Sequence, residues 1–327
     1  EIYSVYEKLY SQMSDENNIS NGWVENRKFE TEVIDILGGK YRDEDILLTF
    51  HFFIENILCK SIKEYIEDDS TDRNKVLCLS GGSMLNIKWN AAIRNMGIFR
   101  DIYAPPFIND TGVAIGAICA ERLRTGRGIY LKWDTYSGPS LCQKETDKSW
   151  SKKSCDIKEL AHIIAEECEP VIVLNGKSEL GPRALGNRSI IADARVESMK
   201  DKLSDIKNRE NYRPIAPICL EKDADKYFIP GTPDKYMLFE HKMTEYGMKK
   251  VPAVMHLDGT ARVQTIAEKD NDVIYKLLEE YSKITGVSVL CNTSANSSGK
   301  GFFPDIISAQ KWGRTKYIWC DNILYYH

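Results

Sequence analysis

Long hydrophobic runs are missing from this chain: none reaches the ~18–20 residues that a membrane-spanning helix needs. The most apolar helical stretch, Asp45 to Glu67, carries His51, Glu55, Lys60, Lys63 and Glu64. The first residues show no signal-peptide pattern, and the chain opens at Glu1 without an initiator methionine. No charge of one sign dominates. The 44 Lys and Arg stand against 48 Asp and Glu, a net charge of -4, which gives no footprint for bulk nucleic-acid binding. There is no Cys-x-x-Cys among the nine cysteines, and the five histidines are scattered, which argues against a zinc cluster. The odd number and apolar surroundings of the cysteines predict buried free thiols and a reducing cytoplasm. Internal repeats and low-complexity segments are absent too.

What is present is an ordinary globular composition, 43% hydrophobic and 28% charged, over 327 residues. That length predicts about two domains. Residues 1–39 are polar and weakly periodic, and read as one helix and a loop. From Asp45, apolar residues recur at three and four (Ile46, Leu47, Phe50, Ile54, Ile57, Leu58), which predicts a helix. A strand at 75–79, a helix ending near Gly97, a strand at 99–103 and a helix from Asn109 follow. This alternation predicts an α/β domain. Residues 126–155, rich in Gly and polar residues, read as a linker. Beyond them come a helix at 156–169 and strands at 171–174, 216–220, 236–239, 262–266, 287–291 and 317–325. Helices are predicted near 196–206, 269–285 and 304–313, giving a second α/β domain with more antiparallel character.

Five segments carry chemistry. Leu79-Ser-Gly81-Gly82-Ser-Met-Leu-Asn86 runs from strand to helix through two glycines. Such a turn exposes backbone N–H groups to a phosphate or ribose, although it also serves structure alone. Asn109-Asp110-Thr-Gly opens a helix, with Asn109 reading as its cap and Asp110 as a metal ligand. Lys177, Arg183 and Arg188 lie in a glycine-interrupted run from Asn175 to Ser189. Lys207, Arg209 and Arg213 follow in a segment ending Pro-x-x-Pro. Guanidinium forks grip oxyanions bidentately and glycines let a ligand approach the backbone, so these runs predict a phosphate or carboxylate site. His256-x-Asp-Gly-Thr260-Ala-Arg262-Val-Gln264 places Arg262 and Gln264 on one side of a strand. Asn292-Thr-Ser294-Ala-Asn296 ends another strand in short hydrogen-bonding side chains. His256 reads as structural and Cys291 as core. No Ser-His-Asp or Cys-His arrangement is legible.

In this order, from about Asp72 to about Tyr325, the segments resemble the O-carbamoyltransferases of the nodulation and antibiotic-tailoring family. The resemblance implies two catalytic units. Residues 1–125 would be the second lobe of an actin/Hsp70-like domain, similar to the universal tRNA threonylcarbamoylation ATPase. Residues 156–327 would be a YrdC-like α/β domain, similar to the threonylcarbamoyl-adenylate synthase fold. It further implies that the C-terminal unit makes carbamoyl adenylate from carbamoyl phosphate and ATP. The carbamoyl group then passes to a hydroxyl of a small natural-product or sugar acceptor. Magnesium would serve adenylation, and iron or a similar divalent metal the actin-like site. Lys207, Arg213, Arg262 and Ser294 are the implied catalytic residues, and Arg183, Arg188, Asn292 and Lys177 the implied substrate contacts. Gly81, Gly82, Asn86 and Thr260 would lie on the nucleotide side, and Asp110 on the metal. The family's paired histidines, His-x-x-x-His, find no counterpart here, so the resemblance implies that the first lobe comes from a partner polypeptide or a longer chain. Ala295 stands where the family usually has an aromatic. A non-catalytic protein sensing ATP or carbamoyl phosphate is the alternative from another class. An actin-like sugar kinase has no place for the Gly-Pro-Arg-Ala-Leu-Gly block.

Overall fold

The computed structural model describes residues 1–13, 22–68, 75–128, 130–142 and 146–327. Asp72, where the resemblance begins, and residues 129 and 143–145 of the expected linker lie outside them. The chain divides into two compact units, Glu1–Lys75 with Ala92–Arg100, and Val76–Ala91 with Asp101–His327.

The first unit is helical: α1 (Ile2–Met13), α2 (Gly22–Leu37), α3 (Asp43–Asp68) and the end of α4 (Ile87–Asn95). Residues 1–39 thus hold two helices rather than one. Tyr6, Leu9, Val33, Leu37 and Phe53 form its small core. The Tyr6 ring lies 5.5 Å from Phe53 and 5.4 Å from Phe50, and its hydroxyl donates to Ile46 O at 3.0 Å. Leu47, part of the predicted apolar stripe, is 68% exposed.

The second unit begins with two parallel strands, β1 (Val76–Cys78) and β2 (Asp101–Tyr103), followed by α5 (Val113–Arg124). Its centre is an eight-stranded mixed sheet. The strands in chain order are β3 (Ser151–Ser154), β4 (Val171–Leu174), β5 (Arg188–Asp193), β6 (Ala216–Leu220), then a separate antiparallel trio β7 (Phe228–Ile229), β8 (His241–Met243) and β9 (Thr260–Ala261). β10 (Gln264–Ile266), β11 (Val289–Ser294), β12 (Tyr317–Cys320) and β13 (Ile323–Tyr326) return to the large sheet. Its spatial order is β10-β6-β11-β5-β4-β12-β13-β3. Helices α6 (Ile157–His162), α7 (Met199–Lys207), α8 (Ala224–Tyr227), α9 (Glu245–Lys250), α10 (Asp272–Thr285) and α11 (Ile306–Trp312) surround it. The fold is mixed α/β.

Local chemistry sets these boundaries. Asn271 caps α10 by accepting from Ile274 N, and Gly286 ends it with a left-handed φ of 72°. Asp305 and Gly313 do the same for α11. β4 and β5 are buried at every position, as central strands are. The single strand expected at 317–325 is a hairpin, because Asp321 and Asn322 both take positive φ and turn the chain in two residues. Residues 236–239 are not a strand: the Asp234 carboxylate captures the N–H groups of Leu238 and Phe239 at 3.1 and 2.9 Å, and the strand forms later, at β8. The end of the expected linker is β3, paired with β13. All nine cysteines are free; Cys155, Cys219, Cys291 and Cys320 are buried, whereas Cys78 and Cys142 are exposed. Among the described residues no helix is long and apolar enough to cross a membrane.

Register brings one end of the large sheet into focus. Ser294 at the end of β11 pairs with Ser189 at the start of β5, Asn292 pairs with Ala216 at the start of β6, and Leu174 at the end of β4 pairs with Arg188. The loops carrying most of the sequence-predicted cations leave the sheet at this end.

Candidate functional site

Four cations from three loops gather there. Arg183 lies between β4 and β5, Lys207 closes α7, Arg209 follows it, and Arg262 lies between β9 and β10. Asn208 takes a left-handed φ of 49° at the end of α7 and turns the chain so that Arg209 N reaches Ser204 O. Burial lowers the pKa of Arg183. Burial, then the neighbouring Arg183 and Arg209, pull Arg262 down to about 9. Burial, then Arg213, lower Arg209. The Nε atoms of Arg183, Arg209 and Arg262 are buried without a hydrogen-bond partner. Like charges held together, with buried donors left over, are an arrangement that an anion would satisfy.

Lys207 is held differently. Its ammonium donates to Ser294 O, Asn296 O and Asn296 Oδ1, each at 2.7 Å, and lies 5.9 Å from the Trp312 ring. Three acceptors match three protons and favour the charged form. Burial and then Arg209 oppose it, bringing the pKa down to about 8. Lys207 therefore fastens the Ser294–Asn296 turn to the cations. Ser294 Oγ donates to Asn296 Oδ1 at 2.5 Å.

The pH consequence has a definite sign. The folded value of about 8 lies below the unfolded one, so Lys207's contribution to stability is intact above the unfolded value and is lost as pH falls through 8. A bound anion restores the proton. Pyrophosphate affinity is expected to rise as pH falls through 8, with proton uptake in calorimetry across buffers of different ionisation enthalpy. Affinity independent of pH, without proton uptake, would exclude this role.

The remaining sequence-predicted residues separate. Arg188 is 1% exposed. Its guanidinium donates to the carbonyls of Asn175, Asn187, Pro139 and Gly176 at 2.7–3.3 Å. It secures the loop, and its donors are used on backbone rather than offered to a substrate. Asn292, also buried, donates to Ala184 O at 3.1 Å and Gln264 Oε1 at 2.9 Å, bracing the turn after Arg183. Arg213 is exposed and paired with Glu210 at 2.9 Å, at the rim. The Lys177 side chain is exposed. Gly81 N donates to Ile108 O at 2.8 Å, Gly82 begins a short 3-10 turn, and Asn86 caps α4 by accepting from Lys88 N at 3.1 Å. Asn109 caps as predicted, accepting from Thr111 N, while Asp110 is exposed at the start of its turn.

Thr260 belongs to a second cluster. Its hydroxyl meets Asp258 Oδ1 at 2.6 Å, Glu240 Oε1 at 3.0 Å and His256 Nδ1 at 3.1 Å. Carboxylates only accept, so the hydroxyl proton goes to one of them and His256 Nδ1 donates to Thr260. Burial, then Arg262, lower His256 to about 4, so the imidazole is neutral. Glu240, His256 and Asp258 are near enough to share an ion. The Lys88 ammonium already stands on both carboxylates, at 2.6 Å from Asp258. Burial works against the Asp258 charge, yet Lys88 and Thr260 outweigh it and hold the carboxyl down to about 2. A lysine thus fills the cation's role, and this group does not fit a divalent metal. Nor do three ligating side chains converge on Asp110 among the described residues. The described residues do not by themselves make an iron site.

Three residues outside the implied catalytic and substrate-contact set matter equally. Arg209 and Asn296 each stand two positions beyond a singled-out residue, Lys207 and Ser294, and that spacing was the available signal. Glu179 is the third. It is 4% exposed, and its Oε1 accepts from the N–H groups of Leu185, Asn187 and Arg188 at 2.8, 2.7 and 3.1 Å. It shapes the turn that follows Arg183. Gly186 within that turn has φ 121°, and a Cβ there would lie 2.6 Å from Ile274.

The Carbamoyltransferase N-terminus family model covers residues 1–119, and the Carbamoyltransferase C-terminus model covers 161–321. Nodulation protein U of Azorhizobium caulinodans is 46% identical over 316 residues, 97% of this chain and 56% of that protein. Nodulation protein U of Sinorhizobium fredii is 48% identical over 287 residues, 88% of this chain and 51% of its own. A 3'-hydroxymethylcephem-O-carbamoyltransferase of Amycolatopsis lactamdurans is 38% identical over 229 residues, 69% of this chain and 43% of its own. The chain spans about half the length of the curated relatives it matches. Among solved structures, full-length HypF in its phosphate- and nucleotide-bound form is 18% identical and covers 50% of this chain and 20% of its own, at a TM-score of 0.35. With both family models matched in order along the sequence, the chain belongs to the O-carbamoyltransferase family.

Proposed function

We propose that the C-terminal part of this chain forms carbamoyl adenylate from carbamoyl phosphate and ATP, and that the carbamoyl group passes to a hydroxyl of a small natural-product or sugar acceptor. In this reading residues 1–125 are the second lobe of an actin/Hsp70-like domain, 126–155 a linker and 156–327 a YrdC-like domain. A lobe outside this sequence, in a longer chain or a partner polypeptide, supplies the rest of the transfer site, with Asp110 as this chain's contribution to its metal. The observation that supports the reading most is the gathering of Arg183, Arg209 and Arg262 with their Nε atoms unpartnered. A relative whose name is that of a hydroxymethylcephem O-carbamoyltransferase supports the acceptor class.

The step balances with one water. Water opens carbamoyl phosphate to phosphate and carbamate, a carbamate oxygen attacks the α-phosphorus of ATP, and pyrophosphate leaves; the acceptor hydroxyl then attacks the carbamoyl carbon, loses its proton and displaces AMP. The protein's task is to hold several phosphate oxygens in line and neutralise the charge that moves. Arg183, Arg209 and Arg262 supply fixed positive charge without reorganisation. Lys207 fixes the Ser294–Asn296 turn beside these charges. Magnesium arrives with ATP. No side chain has to become covalently attached, consistent with the lack of a legible nucleophile.

Phosphorus NMR of the full chain with ATP and carbamoyl phosphate tests this. Phosphate and pyrophosphate are expected in equal amounts. Both ligands binding without pyrophosphate release would instead indicate a sensor.

A further inference from the structure

Lys88 has no part in the chemistry proposed above, yet its two partners border Arg262. Strand β9 ends one residue before Arg262 and pairs with β8 at His241–Ala261 and Lys242–Thr260. Glu240 precedes β8 and Asp258 stands two residues before β9, so the two acids bracket this short ladder. Their carboxylates lie 3.0 and 2.6 Å from the Thr260 hydroxyl. That hydroxyl has one proton and satisfies one of them. Two carboxylates sharing a single donor repel each other. The Lys88 ammonium removes the conflict by donating to both, at 2.6 Å to Asp258. Burial works against the Lys88 charge, but Asp258 and Glu240 outweigh it and raise its pKa.

Lys88 is itself firmly placed. Asn86 Oδ1 accepts from Lys88 N and Trp89 N at 3.1 and 3.3 Å, fixing the first turn of α4. Glu240 N donates to Ile87 O at 3.2 Å. The buried Asn90 amide donates to Met84 O and Leu238 O, both at 2.8 Å. Residues 238–240 are therefore tied to α4. Asp234 holds the same residues from its own side, and it is fixed in turn to Thr265. Its N–H donates to Thr265 Oγ1 and its carbonyl accepts from Thr265 N, each at 2.9 Å. Arg262 thus lies between Thr260, held through the two acids that Lys88 joins, and Thr265, held through Asp234. The Arg262 Nε is buried without a hydrogen-bond partner. The frame around Arg262, not a bond at that atom, sets where its charge sits.

We propose that Lys88 is a positioning residue for Arg262: by clasping Glu240 and Asp258 it holds the β8–β9 ladder, and with it the guanidinium, where an anion is met. That Arg262 meets an anion rests on the carbamoyl-adenylate reading; that Lys88 places it does not. Solvent exchange of the buried arginine Nε–H groups, followed by NMR in the ligand-free full chain, tests the placement, and pyrophosphate titration tests its use. Arg262→Met assigns the Arg262 signal. In Lys88→Met, exchange at Arg262 is expected to rise and pyrophosphate affinity to fall, each about tenfold, while Arg183 and Arg209, carried on other loops, stay within about twofold. Lys88→Arg keeps a cation on both carboxylates and is expected to restore both readings. Lys88→Met/Asp258→Asn removes the cation and one carboxylate together, so that no new repulsion loosens the loop, and the same loss at Arg262 is expected. Exchange at Arg262 unchanged in Lys88→Met, or raised equally at all three arginines as a merely structural role would have it, would overturn the inference. So would pyrophosphate affinity equal to that of the wild type. If the wild type binds no pyrophosphate while Lys88→Met still frees Arg262, the anion-binding reading fails and the placement stands. If pyrophosphate binds and Arg262 is not freed, the reverse holds.

Discussion

Arg262→Met is expected to lower carbamoyl-phosphate-dependent pyrophosphate chemistry about 10²–10³-fold, the range for removing one preorganised charge donor, while leaving the chain at least as stable. Both halves follow from the same geometry. Arg262 is pulled to about 9 by burial and by Arg183 and Arg209, so in the ligand-free chain its charge is a cost. Asp234, its acidic neighbour, keeps two backbone donors, Leu238 N and Phe239 N, when the guanidinium is gone. Methionine fills the volume without the like-charge repulsion. Thermal unfolding would show an unchanged or higher midpoint. A large fall in the midpoint with unaltered chemistry would mean that Arg262 is structural and the cluster is not an anion socket.

Glu179→Leu is expected to have the largest effect on stability. Three backbone N–H groups lose their shared acceptor inside the protein. Each buried donor left unsatisfied costs ~1–3 kcal/mol, so the loss is about 3 kcal/mol or more. Differential scanning calorimetry would show a midpoint several degrees lower. Glu179→Gln keeps an acceptor oxygen and separates shape from charge. Burial raises the Glu179 pKa against the pull of those N–H groups. A raised folded value means that the favourable contribution is present below the unfolded pKa and is lost as pH rises through the folded one. Glu179→Gln should therefore gain on the wild type as pH rises. A Leu variant as stable as wild type would remove Glu179 from its place as the template of the turn after Arg183.

The cation cluster was legible because its members sit among glycines and prolines, where an ordinary solvated helix face would not put them. Strands β4 and β6 were legible as short apolar runs, and Asn109 as a cap. The sequence did not reveal β5, because its first residues, Arg188 and Ser189, look like loop chemistry until strands on both sides bury them. Arg188 resembles a ligand residue in sequence; only the folded loops bring four carbonyls to its guanidinium. The hairpin at 321–322 was missed because Asp-Asn was read through as strand. The Lys88 ion pairs span more than a hundred residues to Glu240 and Asp258, and no local pattern announces such pairing. Glu179 stood inside the quoted motif, but its three donors become neighbours only when the turn closes around it.

The most direct test of the central claim is isotope exchange between pyrophosphate and ATP, measured with and without carbamoyl phosphate. The account predicts exchange that requires carbamoyl phosphate in the wild-type chain and falls about 10²–10³-fold in Arg262→Met. No exchange in the wild-type chain, or exchange that proceeds equally without carbamoyl phosphate, would contradict it.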